Sequence, residues 1–293
     1  MLSLRGSMVA LITPMKDGGV DEPALRALAR WQIEKGTDGL VPCGTTGEGA
    51  TLTADEAACV VRACVEEAKG RVPVIAGCGS NSTQKTIENV QRAKEAGADA
   101  ALVVTPYYNK PTQEGLFRHF EVVAQKGGLP VVLYNVPSRT SVDLLPETIG
   151  RLSRVAGIVG VKEASGNVVR VAEIQERCEG RAFALLAGDD MFTLATLGMG
   201  GHGVISVVAN VAPGDMARLC DDFLAGDLPS AQRAQVRFAP LVRALFCETN
   251  PLPLKYALHR MGRAGPELRL PLVPISAAGA AQVDSALKQY GLA

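Results

Sequence analysis

Eight short apolar runs recur along the chain, beginning at Met8, Asp38, Val72, Ala98, Pro130, Gly157, Phe183 and Gly203. Each is close to continuously apolar rather than alternating, the pattern of a strand covered on both faces, as in a parallel sheet. Consecutive starts lie 20 to 34 residues apart, the length of a strand plus a crossover helix. The intervening segments carry helical signals. Residues 23–35 place Leu25, Leu28, Ala29 and Ile33 on one face. Residues 53–69 open on Thr53-Ala-Asp-Glu56, a capping-box pattern. Residues 82–96 run into Gly97, a helix stop.

Eight successive βα units predict a closed (β/α)₈ barrel, an α/β fold. The alternative on pattern alone is an open doubly wound sheet, although no GxGxxG follows the first run to support its dinucleotide-binding form. Beyond about residue 212 the strand pattern stops. The remainder is rich in Ala, Leu and Arg, with prolines at 251, 253, 266, 271 and 274. We expect a catalytic barrel over residues 1–224 and a helical C-terminal appendage over 225–293, packed on the barrel without a low-complexity linker.

Composition narrows the functional classes. Apolar residues make up 47% of the 293, enough for a large core, and 30 basic residues balance 30 acidic ones. That balance argues against a broad nucleic-acid or membrane-surface footprint. No apolar run nears the roughly 20 residues that span a bilayer. The N-terminal apolar stretch runs into Thr13-Pro14 and a Gly-Gly turn, so we do not read it as a signal peptide. The seven cysteines form no CxxC pair and are odd in number, as expected of free thiols in a reducing cytoplasm. His119, His202 and His259 lack ligand spacing, so no metal site is expected.

Barrel chemistry sits at the C-terminal ends of the strands. The sixth run ends in Lys162-Glu163 after Gly157-Ile-Val-Gly-Val. Strict alternation puts Lys162 on the face of Gly160 and Ile158, with Val159 and Val161 opposite, so Lys162 points into the barrel beside a glycine that leaves room. A lysine withdrawn from water has its pKa pushed down and becomes a usable nucleophile. Read from the run alone, a strand-end lysine snorkelling to solvent is an equal reading. Tyr134 ends the fifth run and could relay protons, or could be ordinary core. Arg139, five residues on, suits a substrate carboxylate, or is a solvated surface arginine. The Gly44-Thr45-Thr46-Gly47 turn before the capped helix offers N–H groups and hydroxyls to a small anion, though such turns are common.

Together the segments GTTGE (44–48), VTPYYNKPTQEGL (104–116), YNVPSRT (134–140), VKEASG (161–166) and TNPLPLKYAL (249–258) resemble the dihydrodipicolinate synthase family of class I pyruvate aldolases. The resemblance runs from Ala10 to about Leu258. It implies a Schiff base between Lys162 and pyruvate, and a proton relay of Tyr134, Thr46 and Tyr108, with Tyr108 reaching in from a neighbouring subunit of a homotetramer. Thr45 and Thr46 would hold the pyruvate carboxylate. Arg139 would take the carboxylate of L-aspartate 4-semialdehyde, and Gly188 and Ile205 would line the site. The implied product is 4-hydroxy-tetrahydrodipicolinate, on the route to diaminopimelate and lysine, formed without an organic cofactor or metal. Many members are inhibited by lysine at positions matching Gly49, Ala50, Ala54, Ala57, Asn81, Lys85 and Tyr107. Sensitive members carry histidines at the positions of Ala54 and Ala57 and a glutamate at that of Lys85, so inhibition here is expected to be weak or absent. The alternatives are an N-acetylneuraminate lyase-like or keto-sugar-acid aldolase, or a catalytically silent barrel. Pro137-Ser138-Arg139-Thr140 and the tandem Tyr107-Tyr108 favour the synthase over the first two.

Overall fold

Each of the eight apolar runs supplies one parallel strand in the computed structural model, which describes residues 2–293. The strands are β1 (Gly6–Ala10), β2 (Gly39–Val41), β3 (Ile75–Gly77), β4 (Ala100–Val104), β5 (Val131–Asn135), β6 (Ile158–Glu163), β7 (Ala184–Ala187) and β8 (Gly203–Ser206). Their spatial order is β2-β1-β8-β7-β6-β5-β4-β3. The ring closes between β2 and β3 by a parallel bridge from Leu40 to Val74, with Leu40 N–H donating to Pro73 O at 2.9 Å. The closure excludes the open sheet. Most strands stop short of the end of their run, whose last residues leave the ladder for the loops at the barrel mouth; β3 instead ends with its run at Gly77.

Helices intervene as the pattern predicts: α1 (Glu22–Glu34), α2 (Ala54–Ala68), α3 (Thr83–Glu95), α4 (Gln113–Gly127), the single turn α5 (Pro137–Thr140), α6 (Pro146–Leu152), α7 (Val169–Arg177) and α8 (Thr193–Gly198). The capping box at α2 forms in full: Thr53 accepts from Glu56 N–H while the Glu56 carboxylate accepts from Thr53 N–H. Such a cap is worth about 1 kcal/mol. A short antiparallel hairpin pairs Met15–Lys16 with Gly19–Val20. Its turn is Asp17-Gly18, both at positive φ, as a two-residue hairpin loop requires. After β8 come α9 (Pro213–Leu224), α10 (Leu228–Leu245), α11 (Leu252–Arg260) and α12 (Ala277–Tyr290). Among the described residues no helix is long and apolar enough to cross a membrane.

The core has two layers. Met8, Val41, Ile75, Leu102, Val132, Leu186 and Ile205 fill the barrel interior. Val9, Leu40, Val103, Leu133, Val161, Leu185 and Val204 face the surrounding helices. Alternation along β6 is broken by a bulge: Val131 pairs with Ile158 but Val132 pairs with Gly160. Ile158 therefore joins the outer layer and Val159 packs with the inner one, the reverse of the strict-alternation expectation. From Gly160 onward the expected faces hold. The role given to Gly160 also changes. A Cβ there would lie 2.6 Å from Ala184 O, so the glycine permits close approach of β7 and leaves no spare volume.

Candidate active site

Lys162 and Tyr134 are in direct register across β5 and β6. Lys162 is 6% exposed, Tyr134 is 7% exposed, and the Lys162 Nζ stands 4.4 Å from the centroid of the Tyr134 ring. This inward, buried setting removes the snorkelling alternative for Lys162. A cation over a ring face is favoured by the ring quadrupole, so the contact also holds the amine in place. From the other side Gly188, just past β7, lies against the lysine stem. A Cβ on Gly188 would sit 3.1 Å from Lys162 Cγ and 2.7 Å from Ala164 Cβ. Ile205, fully buried on β8, packs in the same inner layer as Tyr134.

Above Tyr134 opens a cleft of about 740 Å³. It brings Thr45, Tyr134 and Arg139 together with Gly49, Ala50, Ala54, Ala57, Asn81, Lys85 and Tyr107. Thr45 and Arg139 thus share one depression with the effector-matched residues, whereas Thr46, Gly188 and Ile205 do not line it. Lys162 lies beneath it, against the Tyr134 ring, rather than in its wall.

The Gly44–Gly47 turn presents itself as an anion would need. Glu48 N–H donates to Thr45 O and Gly49 N–H to Gly44 O, each at 3.2 Å. The N–H groups of Thr45 and Thr46 donate to no protein acceptor among the described residues. The Thr46 hydroxyl, 3% exposed, accepts from the Asn250 side-chain amide at 3.0 Å. Arg139 is exposed on α5 and donates to the Asn250 carbonyl at 3.2 Å. Tyr108 is the outlier. It is 89% exposed with φ +75° and cannot orient the Tyr134 of its own chain. No hydrogen bond joins Thr46 to Tyr134.

Two supporting networks were not singled out from the sequence. Asn135 and Glu163 directly follow Tyr134 and Lys162 and pair in the same register on the opposite, helix-facing side. Asn135 Nδ2 donates to Glu163 Oε2 at 3.1 Å and to Asp143 Oδ1 at 2.9 Å, and Arg170 donates to Asp143 at 2.6 Å and to Leu144 O at 2.7 Å. The signal was available, since polar residues in an apolar run on a helix-covered face must find buried partners. The second network lies behind the Thr45-Thr46 turn. Glu48 and Lys255 form an ion pair with both side chains wholly buried. Lys255 Nζ also donates to Glu267 O at 2.8 Å, and Arg269 N–H donates to Glu48 Oε2 at 3.2 Å. Burial pushes the Lys255 pKa down. Arg269 also pairs with Glu56, holding that carboxyl at about 2. Nothing in the hydrophobic pattern marks this second set, because its partners lie some two hundred residues apart in sequence.

Comparison with known proteins agrees with this fold. The profile of the dihydrodipicolinate synthetase family matches residues 3–290. A 4-hydroxy-tetrahydrodipicolinate synthase of Anaeromyxobacter dehalogenans is 56% identical over 292 residues, covering 100% of this chain and 99% of that protein. The dihydrodipicolinate synthase of Thermotoga maritima superposes with a TM-score of 0.97 at 42% identity, covering 99% of both chains. The chloride-inhibited dihydrodipicolinate synthase of Acinetobacter baumannii, solved in complex with pyruvate, gives 0.97 at 44% identity, covering 99% of this chain and 100% of that one. The chain belongs to the dihydrodipicolinate synthetase family.

Proposed function

We propose that this chain condenses pyruvate with L-aspartate 4-semialdehyde to 4-hydroxy-tetrahydrodipicolinate through a Schiff base on Lys162. The observation that carries the reading is the buried pairing of the Lys162 amine with the Tyr134 ring beneath a cleft lined by Thr45 and the exposed Arg139. The Acinetobacter baumannii neighbour bound to pyruvate supports the choice of donor.

In its deprotonated form the Lys162 amine attacks the ketone carbon of pyruvate, whose carboxylate rests on the Thr45 and Thr46 N–H groups. Loss of water gives the imine, with Tyr134 relaying the protons. A methyl C–H then breaks. Its proton goes to the Tyr134 oxygen, and its electron pair becomes the C=C bond of the enamine, the C=N pair moving to nitrogen. The enamine carbon attacks the aldehyde of the second substrate, whose carboxylate Arg139 grips. The amine of that substrate attacks the imine carbon, closes the ring and releases Lys162.

Thr46 of the same chain orients Tyr134, together with Tyr108 from a neighbouring subunit. The exposure of Tyr108 and Tyr107 supports that exchange, and we place the enzyme in the cytoplasm as a homotetramer. Borohydride reduction in the presence of pyruvate tests the reading. One pyruvate-derived mass on Lys162 is expected, and an adduct elsewhere or none at all overturns it. Replacing the semialdehyde by sugar aldehydes should abolish turnover.

A further inference from the structure

Asn250 lies on the short segment that leads into α11, 204 residues from Thr46 in sequence, and is 5% exposed. It touches both halves of the site at once. Its side-chain Nδ2 donates to Thr46 Oγ1 at 3.0 Å, and its main-chain oxygen accepts from Arg139 Nη2 at 3.2 Å. Its Oδ1 is buried without a partner. The amide orientation follows from that vacancy. Turning the amide over would bury an unpaired NH₂ donor in place of an unpaired acceptor, and orphaned donors are the rarer and costlier case.

The orientation has a consequence for Thr46. A hydroxyl holds one proton and two lone pairs. With one lone pair occupied by Asn250, the Thr46 proton is directed away from Asn250 and is left for another acceptor, the role that the proposed mechanism gives to Tyr134. We infer that Asn250 is a positioning residue that fixes the direction in which Thr46 hands on its proton, so that the C-terminal helical segment sets the polarity of the relay in the barrel mouth. The inference rests on the reading of Lys162, Tyr134 and Thr46 given above.

A double-mutant cycle on the whole enzyme tests it, using Asn250→Ala, Thr46→Val and the double variant. Two readouts are taken with pyruvate alone in deuterated water: exchange of the pyruvate methyl hydrogens, and the amount of borohydride-trapped adduct on Lys162 at saturation. Asn250→Ala should slow exchange by about tenfold, the cost of one lost hydrogen bond expressed as a rate, while the trapped adduct stays at its wild-type level. In the Thr46→Val background the same substitution should change exchange by less than about twofold, since residues acting through one another do not add. Asn250→Asp keeps the shape but offers Thr46 only acceptors, and should slow exchange at least as much as Asn250→Ala. Wild-type exchange in either single Asn250 variant, or independent multiplication of the two effects in the double variant, overturns the inference. If the wild-type enzyme traps no pyruvate on Lys162, the underlying reading falls and takes this one with it. If it does, the cycle judges Asn250 alone.

Discussion

Tyr134 and Lys162 face each other across one rung of the β5–β6 ladder, with the amine 4.4 Å from the centre of the ring. The ring provides packing, the proposed mechanism gives the chemistry to the hydroxyl, and the two are separable. Tyr134→Phe should keep the cation over a ring and leave the melting temperature within a few degrees. Its kcat should fall by about 10²- to 10⁴-fold, the range for loss of a general acid–base group. Steady-state kinetics beside a thermal melt decide it. A large loss of stability with unchanged turnover would reverse the assignment.

Glu48 and Lys255 are wholly buried partners joining the Thr45-Thr46 turn to α11. Lys255→Met strands a carboxylate in the interior and should cost about 3–5 kcal/mol of stability. Glu48→Gln combined with Lys255→Met should regain most of that, because no buried charge then lacks its counter-ion. Chemical denaturation of the three variants measures both steps, and a double variant no better than the worse single one contradicts the account.

Asp190 begins the turn after β7 and is fully buried. Its carboxylate accepts from the Ser206 hydroxyl and from the N–H groups of Val207 and Val208. Burial outweighs those bonds and raises its pKa from 3.8 to about 6. A folded-state pKa above the unfolded one means that the native chain binds the proton more tightly. The stability due to this group is therefore full below about pH 4 and is lost as pH rises to about 6, an effect of about 3 kcal/mol. The wild type minus Asp190→Asn difference in unfolding free energy should fall across that window and be flat above it. A flat difference throughout contradicts the shift.

The effector-matched part of the cleft carries Lys85 on α3, with Ala54 and Ala57 on α2 opposite. A fixed cation there repels the side-chain amine of lysine, and the alanines offer it no hydrogen bond. Lysine titrated into the synthase assay should leave the rate unchanged at sub-millimolar concentrations. Strong inhibition in that range would mean that the amine finds another partner.

Much of this molecule was legible in advance, for physical reasons that differ by element. Eight strands buried on both faces must be apolar throughout, so each announced itself. Lys162 and Tyr134 were conspicuous as polar groups closing such runs. Asn135 and Glu163 close the same runs, but their partners Asp143 and Arg170 meet them only on the helix-covered face of the folded barrel. Asn250, Lys255 and Arg269 carried no local signal, since their roles exist only once the C-terminal segment is laid against the barrel mouth. The bulge beneath Gly160 was invisible because a count of alternating residues presumes that none is inserted.

That bulge insulates the reactive end of β6 from its base. The side chains at Ile158 and Val159 have exchanged faces, yet Lys162 still meets Tyr134 because the ladder is re-set at Gly160 and Val132. A change in the spacing of the β6 base, such as a residue gained or lost before Gly160, can be taken up in the irregular step. The aim of the lysine is inherited from its neighbours at the mouth, which leaves the floor of the barrel free to drift over generations without turning the Lys162 amine away from Tyr134.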